Sequence, residues 1–311
     1  MLSVQAHIKR QPEDWRVVEH LDSALLERIE AGVGEHLYLF LRKRGLNTTD
    51  VAVMLADHFR LPRIAIGYAG RKDKHAVTDQ WFSVHTPAPL DPDEFEVAGV
   101  TLVGSGRSVK KLRIGELRAN EFQIRLRDVT EVAGQVRCLH ESLEKPFANL
   151  FGPQRMQNNN VEDAIEWVLN RRQRQVSRQQ RGWHLSVLRS FLFNKIVEAR
   201  LRCTDLCQPV VGDFCVDGVP TVPLWGRGRS QTTGEALGME RGALDEFAPV
   251  CEALEYAGVN QARRKLYSQP QALKMTTCDA PNSIDLGFLL PPGTYATSML
   301  SNSLTLIDDT R

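Results

Sequence analysis

The 311-residue sequence predicts an α+β fold, with a mixed or antiparallel sheet flanked by helices and a more helical second region after about residue 150. Three observations carry this. Phe122, Ile124 and Leu126 alternate strictly with Glu121, Gln123, Arg125 and Arg127, the period of a strand with one buried and one wet face. Leu188, Leu192, Ile196 and Ala199 recur at helical spacing. Strands and helices alternate in the first half, but without the regular spacing of βαβ units, which disfavours a parallel α/β sheet.

Taken in order, Pro12-Glu13-Asp14 opens a strand over Trp15–Glu19. A second strand runs over Gly34–Arg42, with Leu37, Leu39 and Leu41 on one face and His36, Tyr38 and Phe40 on the other, so both faces are available for covering. Asn47, Thr48 and Thr49 supply capping side chains, and Val51, Met54, Leu55, His58 and Phe59 follow at helical spacing. On that face His58 reads as a partnered core histidine rather than a catalyst. Strands are expected over Gln80–His85 and Glu121–Arg127. Val161–Asn170 and Ser186–Leu201 read as helices, 216–244 as a Gly- and Pro-rich loop, Leu244–Val259 and Gln261–Tyr267 as helical, and Ile284–Leu290 as a strand.

Composition bounds the function. No run of 18 apolar residues is present, so no helical membrane span is expected. Met1–Gln5 lacks the basic and apolar regions of a signal peptide. The six cysteines form no C-x-x-C pair and no His pair sits at zinc spacing, which fits thiols in a reducing cytoplasm and no metal site. Net charge is only +1, yet cations cluster at Arg42–Arg44, Arg71–Lys74, Lys110–Arg113, Arg263–Lys265 and, most densely, Arg171–Arg181 with five arginines and no acid. Local concentration of this kind suits a polyanionic partner.

Within Gly67–Val84, Arg71, Lys72, Lys74 and His75 surround one acid, Asp73. Neighbouring cations stabilise its carboxylate form, which suits a nucleophile, a general base or a structural anchor rather than a general acid. Gly67 and Gly70 permit a tight backbone and close approach by a ligand. Alone, a charged turn of this kind is commonly just a surface turn.

The segment Lys72–Ser83, KDKHAVTDQWFS, resembles the motif that carries the catalytic aspartate in the TruD family of tRNA pseudouridine synthases. Six further blocks match in family order: KRQPEDWRVVE (Lys9–Glu19, with Trp15 where the family has Phe), GEHLYLFLRKRGLNT (Gly34–Thr48), KKLRIGELRANEF (Lys110–Phe122), NLFGPQR (Asn149–Arg155), LRSFLFN (Leu188–Asn194) and LLPPGTYATSML (Leu289–Leu300). The resemblance implies a pseudouridine-synthase-like catalytic domain over 1–148 and 269–311, interrupted by a family-specific, mainly helical α/β insertion over 149–268, with the 289–300 block returning to the catalytic sheet. It implies isomerisation of a uridine in tRNA, uridine 13, to pseudouridine with no metal or organic cofactor, by a cytoplasmic enzyme expected to be a monomer. Asp73 takes the place of the nucleophile or base and Lys9 that of its paired lysine. Phe122 is expected against the target base and Asn120 near the nucleotide or the active-site loop. Lys72, His75, Gln154 and Arg155 complete the expected substrate contacts.

The chain departs from the family pattern at Met156-Gln157, after Arg155, and at Asn302, where a Glu is usual; 216–244 also looks shortened. These bear on RNA specificity and leave Lys9, Asp73, Asn120 and Phe122 in place. Two other classes fit the residues less well. A non-catalytic RNA-binding protein of the same fold gains nothing from an acid beside phosphates. A phosphate-ester hydrolase with an aspartate nucleophile needs Mg²⁺ and further acids, and the motif holds one.

Overall fold

A computed structural model describes residues 4–86, 95, 97–130, 136–152, 155–157, 159–170, 175–278, 280 and 282–310. In chain order the strands and helices are β1 Gln5–Ile8, β2 Trp15–His20, α1 Ser23–Glu30, β3 His36–Arg44, α2 Thr48–His58, β4 Ile66–Tyr68, β5 Val77–His85, β6 Val100–Ser108, β7 Ala119–Leu126, α3 Val136–Leu143, β8 Phe147–Ala148, α4 Asn160–Leu169, α5 Arg178–Leu201, β9 Cys215–Val216, β10 Val219–Leu224, α6 Gly234–Gly242, α7 Ala248–Glu255, β11 Ala262–Lys265, β12 Tyr267–Ser268, β13 Gln271–Thr277, β14 Ile284–Leu290, α8 Ala296–Ser301 and β15 Thr305–Asp308. They form two units: Met1–Glu144 with Pro270–Gly293 and Ser303–Arg311, and Lys145–Gln269 with Thr294–Asn302.

The first unit is built on an eight-stranded sheet, ordered β13-β14-β7-β2-β5-β3-β6, with β4 also paired to β5. Only β2 and β5 run parallel within it, so the sheet is mixed, as the irregular element spacing predicts. Leu37, Leu39 and Leu41 of β3 pack with Phe82 and Val84 of β5 under Val51, Ala52 and Leu55 of α2. Tyr38, on the opposite face, packs with Leu25 and Ile29 of α1. Both faces of β3 are therefore covered. His58 departs from the expected core position: it lies in the last turn of α2, exposed, with its ring edge-on to Phe59 and Phe95. The C-terminal strand β15 pairs in parallel with β1, a contact that no local pattern announces.

The second unit centres on α4, α5 and α7, whose Val161, Ala164, Trp167, Leu188, Leu192, Phe193, Ile196 and Leu254 share one core. Helix α5 begins earlier than its apolar spacing suggests. Ser177 Oγ accepts from Gln180 N at 3.2 Å and Gln180 Oε1 accepts from Ser177 N at 3.1 Å, a capping box that fixes the first turn. Two expectations are corrected in this unit. The stretch 216–244 is not a loop throughout, since β10 and α6 lie in it. Gln261–Tyr267 is extended, not helical: β11 pairs antiparallel with β10, and Arg263 donates to Thr221 Oγ1 and Glu240 Oε1, both at 2.7 Å. Helix-forming residue types yield there to strand pairing and a buried ion pair, neither of which is local.

Candidate active site

The buried face of the sheet turns polar at one end. A row across five strands reads Phe288 (β14), Phe122 (β7), Val17 (β2), Thr78 (β5) and Lys43 (β3). Beside it, Asn120 pairs with Leu290 and Glu19, and Gln80 with Leu41. Paired residues share a face, so Lys43, Thr78, Gln80, Glu19 and Asn120 form a polar margin on an otherwise apolar surface.

The Asp73 loop is tied to this margin at successive residues. Gly70 O accepts from Gln80 Nε2 at 2.7 Å. Lys72 N donates to Thr48 Oγ1 at 2.9 Å, and Thr48 donates onward to Gln80 Oε1 at 2.9 Å. Asp73 O accepts from Lys43 Nζ at 2.8 Å. The Lys72 ammonium turns inward onto Glu19, whose other carboxylate oxygen accepts from Trp81 N. The Glu19 side chain is 0% exposed and that of Lys72 only 7%. Among the basic residues expected around Asp73, Lys72 is thus an anchor of the loop, while Arg71, Lys74 and His75 are exposed.

The cation in contact with Asp73 comes from elsewhere. Lys9 Nζ lies 3.3 Å from Asp73 Oδ2, with a side-chain exposure of 2% for the lysine and 42% for the aspartate. The same ammonium sits 4.6 Å from the Trp15 ring centroid and 4.0 Å from Asp308 Oδ2 of β15. Lys9 adopts φ 59°, an uncommon conformation for a residue with a side chain. The strain is held by β1 before it and Trp15 after it. The result is a buried ammonium presenting one face to a half-open carboxylate and orienting it.

Phe122 is 8% exposed, stacked on Phe288 at 5.4 Å and edge-on to Trp15 at 6.3 Å. Asn120 is buried next to Glu19, and its Oδ1 has no hydrogen-bond partner among the described residues. Gly67 does not admit a ligand. A Cβ there would lie 2.3 Å from Leu112 O and 2.5 Å from Ser83 Oγ, so its missing side chain accommodates the protein's own loop.

Arg155 belongs to the second unit. Its guanidinium donates to Ser186 Oγ at 2.6 Å and lies over the Phe151 ring at 5.4 Å. Gln154 lies outside the described residues, as do 171–174 of the arginine run. The three later motif blocks meet here. Asn194 accepts from Phe151 N at 2.9 Å and donates to Phe151 O at 3.0 Å. A Cβ on Gly152 would press on Thr297 and Tyr295 at 3.2 Å, and Ser298 Oγ donates to Leu150 O at 3.0 Å. The block around Tyr295 therefore packs on Leu150, Phe151 and Gly152, while its first residues, Leu289 and Leu290, lie in β14 of the eight-stranded sheet.

Two cation clusters expected to face a polyanion are satisfied internally. Arg42 forms a two-pronged pair with Asp79, Lys43 is buried and Arg44 pairs with Glu13. Arg263 pairs with Glu240 and Lys265 with Asp217. Arg264 is half-buried over the Phe151 and Phe193 rings, donating to Asn149 O at 3.0 Å, and desolvation pulls its pKa down to about 10. The acids lie far away in sequence, so a charge run looked freer than it is.

The sequence analysis missed Lys43, Thr48, Gln80, Glu19 and Asp308 as parts of the site. For two of them a signal existed: Lys43 continues the Leu37-Leu39-Leu41 parity, and Glu19 continues Trp15 and Val17. A charged residue in register with buried apolar ones marks a buried polar contact. Among the described residues no group of three or more His, Cys, Asp or Glu is placed to hold a metal ion. No helix there is long and apolar enough to cross a membrane.

A mixed sheet that carries a pinned Lys–Asp pair and is interrupted by a helical unit defines the class to which the comparisons point. The profile of the tRNA pseudouridine synthase D (TruD) family matches residues 2–161. A Pseudoalteromonas atlantica protein named tRNA pseudouridine synthase D is 34% identical over 96% of this chain and 92% of its own. A Cellvibrio japonicus protein of the same name is 36% identical over 98% and 91%. A Methanosarcina mazei crystal structure assigned to tRNA pseudouridine synthase D superposes with a TM-score of 0.70 over 99% of this chain and 95% of that one, at 17% identity, a likeness of fold. The chain belongs to the TruD family of tRNA pseudouridine synthases.

Proposed function

We propose that this protein isomerises a uridine of tRNA, uridine 13, to pseudouridine, with Asp73 as the reacting acid. The observation that carries the reading is the Lys9–Asp73 pair: an ammonium buried on one side and a carboxylate still 42% open on the other. In the reaction the N1–C1′ bond breaks, the base turns, C5 bonds to C1′, the C5 proton is lost and N1 takes up a proton, so that the product is an isomer of the substrate. The carboxylate adds to C6, attacks C1′ or removes a ribose proton to give a glycal. Each route needs a carboxylate oxygen held against the nucleotide, and Lys9, 3.3 Å away, aims it.

The target uridine leaves its stack to reach this acid, at a cost of a few kcal/mol. Asn120 supports recognition, because its unpartnered Oδ1 is the acceptor that a uracil N–H requires. Phe122 meets the base with the small part of its ring left open between Trp15 and Phe288. His75 on the loop and Arg155 with Gln154 in the second unit are proposed RNA contacts, and Lys72 serves them by holding the loop. Residues 149–268 are proposed as the family insertion. No cofactor enters the scheme, and the protein works as a cytoplasmic monomer.

The test is Asp73→Asn with a tRNA transcript, pseudouridine being detected by carbodiimide labelling. The variant should fold and bind tRNA within a few-fold of wild type while forming no pseudouridine, a loss of at least about 10³-fold. Conversion at the wild-type rate would sink the proposal, and product at another uridine would sink the assignment of position.

A further inference from the structure

Lys43 lies on the buried face of β3, in register with leucines, and is 0% exposed. Its ammonium donates to Asp73 O and Leu46 O, both at 2.8 Å, with Thr78 Oγ1 at 3.5 Å. None of these three oxygens belongs to a carboxylate. An ammonium buried on neutral oxygens is costly to hold, and a leucine would suit that face better. The contact it makes is with the main chain of the residue at the centre of the site.

We propose that Lys43 is a positioning residue for Asp73. One ammonium, Lys43, holds the carbonyl of Asp73 from within the sheet, and a second, Lys9, holds its carboxylate. With the backbone clamped by the first, the side-chain torsions are the freedom that remains, and the second restrains them. Lys43 touches no substrate atom; it acts through the geometry of the acid. This rests on the reading of Asp73 as the reacting group.

The arrangement is sensitive to pH. Burial pulls the Lys43 pKa down to about 8; Asp73 opposes this, Lys72 adds to it and Asp50 opposes it, while its remaining neighbours, Leu46 O and Thr78 Oγ1, carry no charge. Below that pH the clamp is a charge-assisted bond; above it, a neutral amine holds the carbonyl more weakly. The rate should therefore fall as pH rises through about 8.

The experiment measures single-turnover rate and KM on a tRNA transcript for wild type, Lys43→Met and Lys43→Gln, from neutral pH to about pH 9. Lys43→Met should lose roughly 10- to 100-fold in rate per folded molecule, with KM little changed, and lack the alkaline step. Lys43→Gln, a neutral donor, should recover part of the rate without the step. An unchanged rate in Lys43→Met, or a step that persists in it, overturns the proposal. Should neither variant fold, the wild type decides: a flat profile overturns the proposal, and a step that coincides with Nζ titration followed by NMR on nitrogen-labelled lysine supports it. An inactive Asp73→Asn beside a fully active Lys43→Met removes this inference alone, whereas an active Asp73→Asn removes the functional reading beneath it.

Discussion

One methyl group at position 67 tests how tightly the site is built. Gly67 sits on β4 where Leu112 O and Ser83 Oγ close over it at 2.3 and 2.5 Å from a would-be Cβ. The backbone atom cannot swing aside, so Gly67→Ala should cost about 1–3 kcal/mol by overpacking. It should also lower the rate, because the neighbouring loop carries Gly115, whose N–H donates to Ala69 O at 2.7 Å at the entrance to the Asp73 loop. Gly104→Ala on β6, with open space around it, is the control and should stay within about 0.5 kcal/mol of wild type. Urea unfolding of both variants gives the answer, and equal midpoints would refute it. At this scale the sequence was informative about residue type and silent about partners. Lys9 and Asp73 could be paired through their motifs. Nothing near Lys43 in the chain says that its ammonium ends on Asp73 O, because Lys43 comes to face Thr78, and Leu41 to face Gln80, only once β3 and β5 pair.

Elements show the same division. Strand parity and helical spacing placed β2, β3, β7, α2, α4 and β14 well, since each has one face in a core and the period of burial is written locally. Helix α5 was legible in its middle, while its first turns depend on the Ser177–Gln180 cap rather than on apolar spacing. Strand β11 was misread because its residues favour a helix and its partner β10 lies some forty residues earlier. The site-supporting contact of α5 is Asn194, which satisfies both the N–H and the carbonyl of Phe151. Asn194→Ala leaves both backbone groups without that partner and should cost about 1–3 kcal/mol. Hydrogen exchange should show the loss concentrated in the second unit, at the Phe151 amide first. Protection at Phe151 equal to wild type would show that the clamp carries no energy.

Across the whole molecule, net charge is only +1, and several of its arginines and lysines are committed to internal pairs. Affinity for tRNA must then come from the cations left exposed, Arg71 and Lys74 on the loop among them. Binding should weaken linearly on a log–log plot as salt rises, by at least about tenfold between roughly 50 and 200 mM. Neutralising Arg71 and Lys74 together should flatten that slope, whereas Arg44→Gln, whose partner is Glu13, should leave it unchanged. Filter binding across a salt series distinguishes these; a slope unaffected by the double variant would place the RNA-binding cations elsewhere.

By itself, the sequence determined the class of fold and the order of the motif blocks, since each is written in residue types at short spacing, and its motifs pointed to Asp73 and Lys9. The tertiary structure alone decided which cations are paired within the protein and which stay exposed. It decided that Lys72 faces Glu19, and that Asp73 is gripped by Lys43 at one end and by Lys9 at the other. The physical reason is that a charge is neutralised by whatever lies within a few ångströms of it, and in a mixed sheet those neighbours come from strands far apart in the chain.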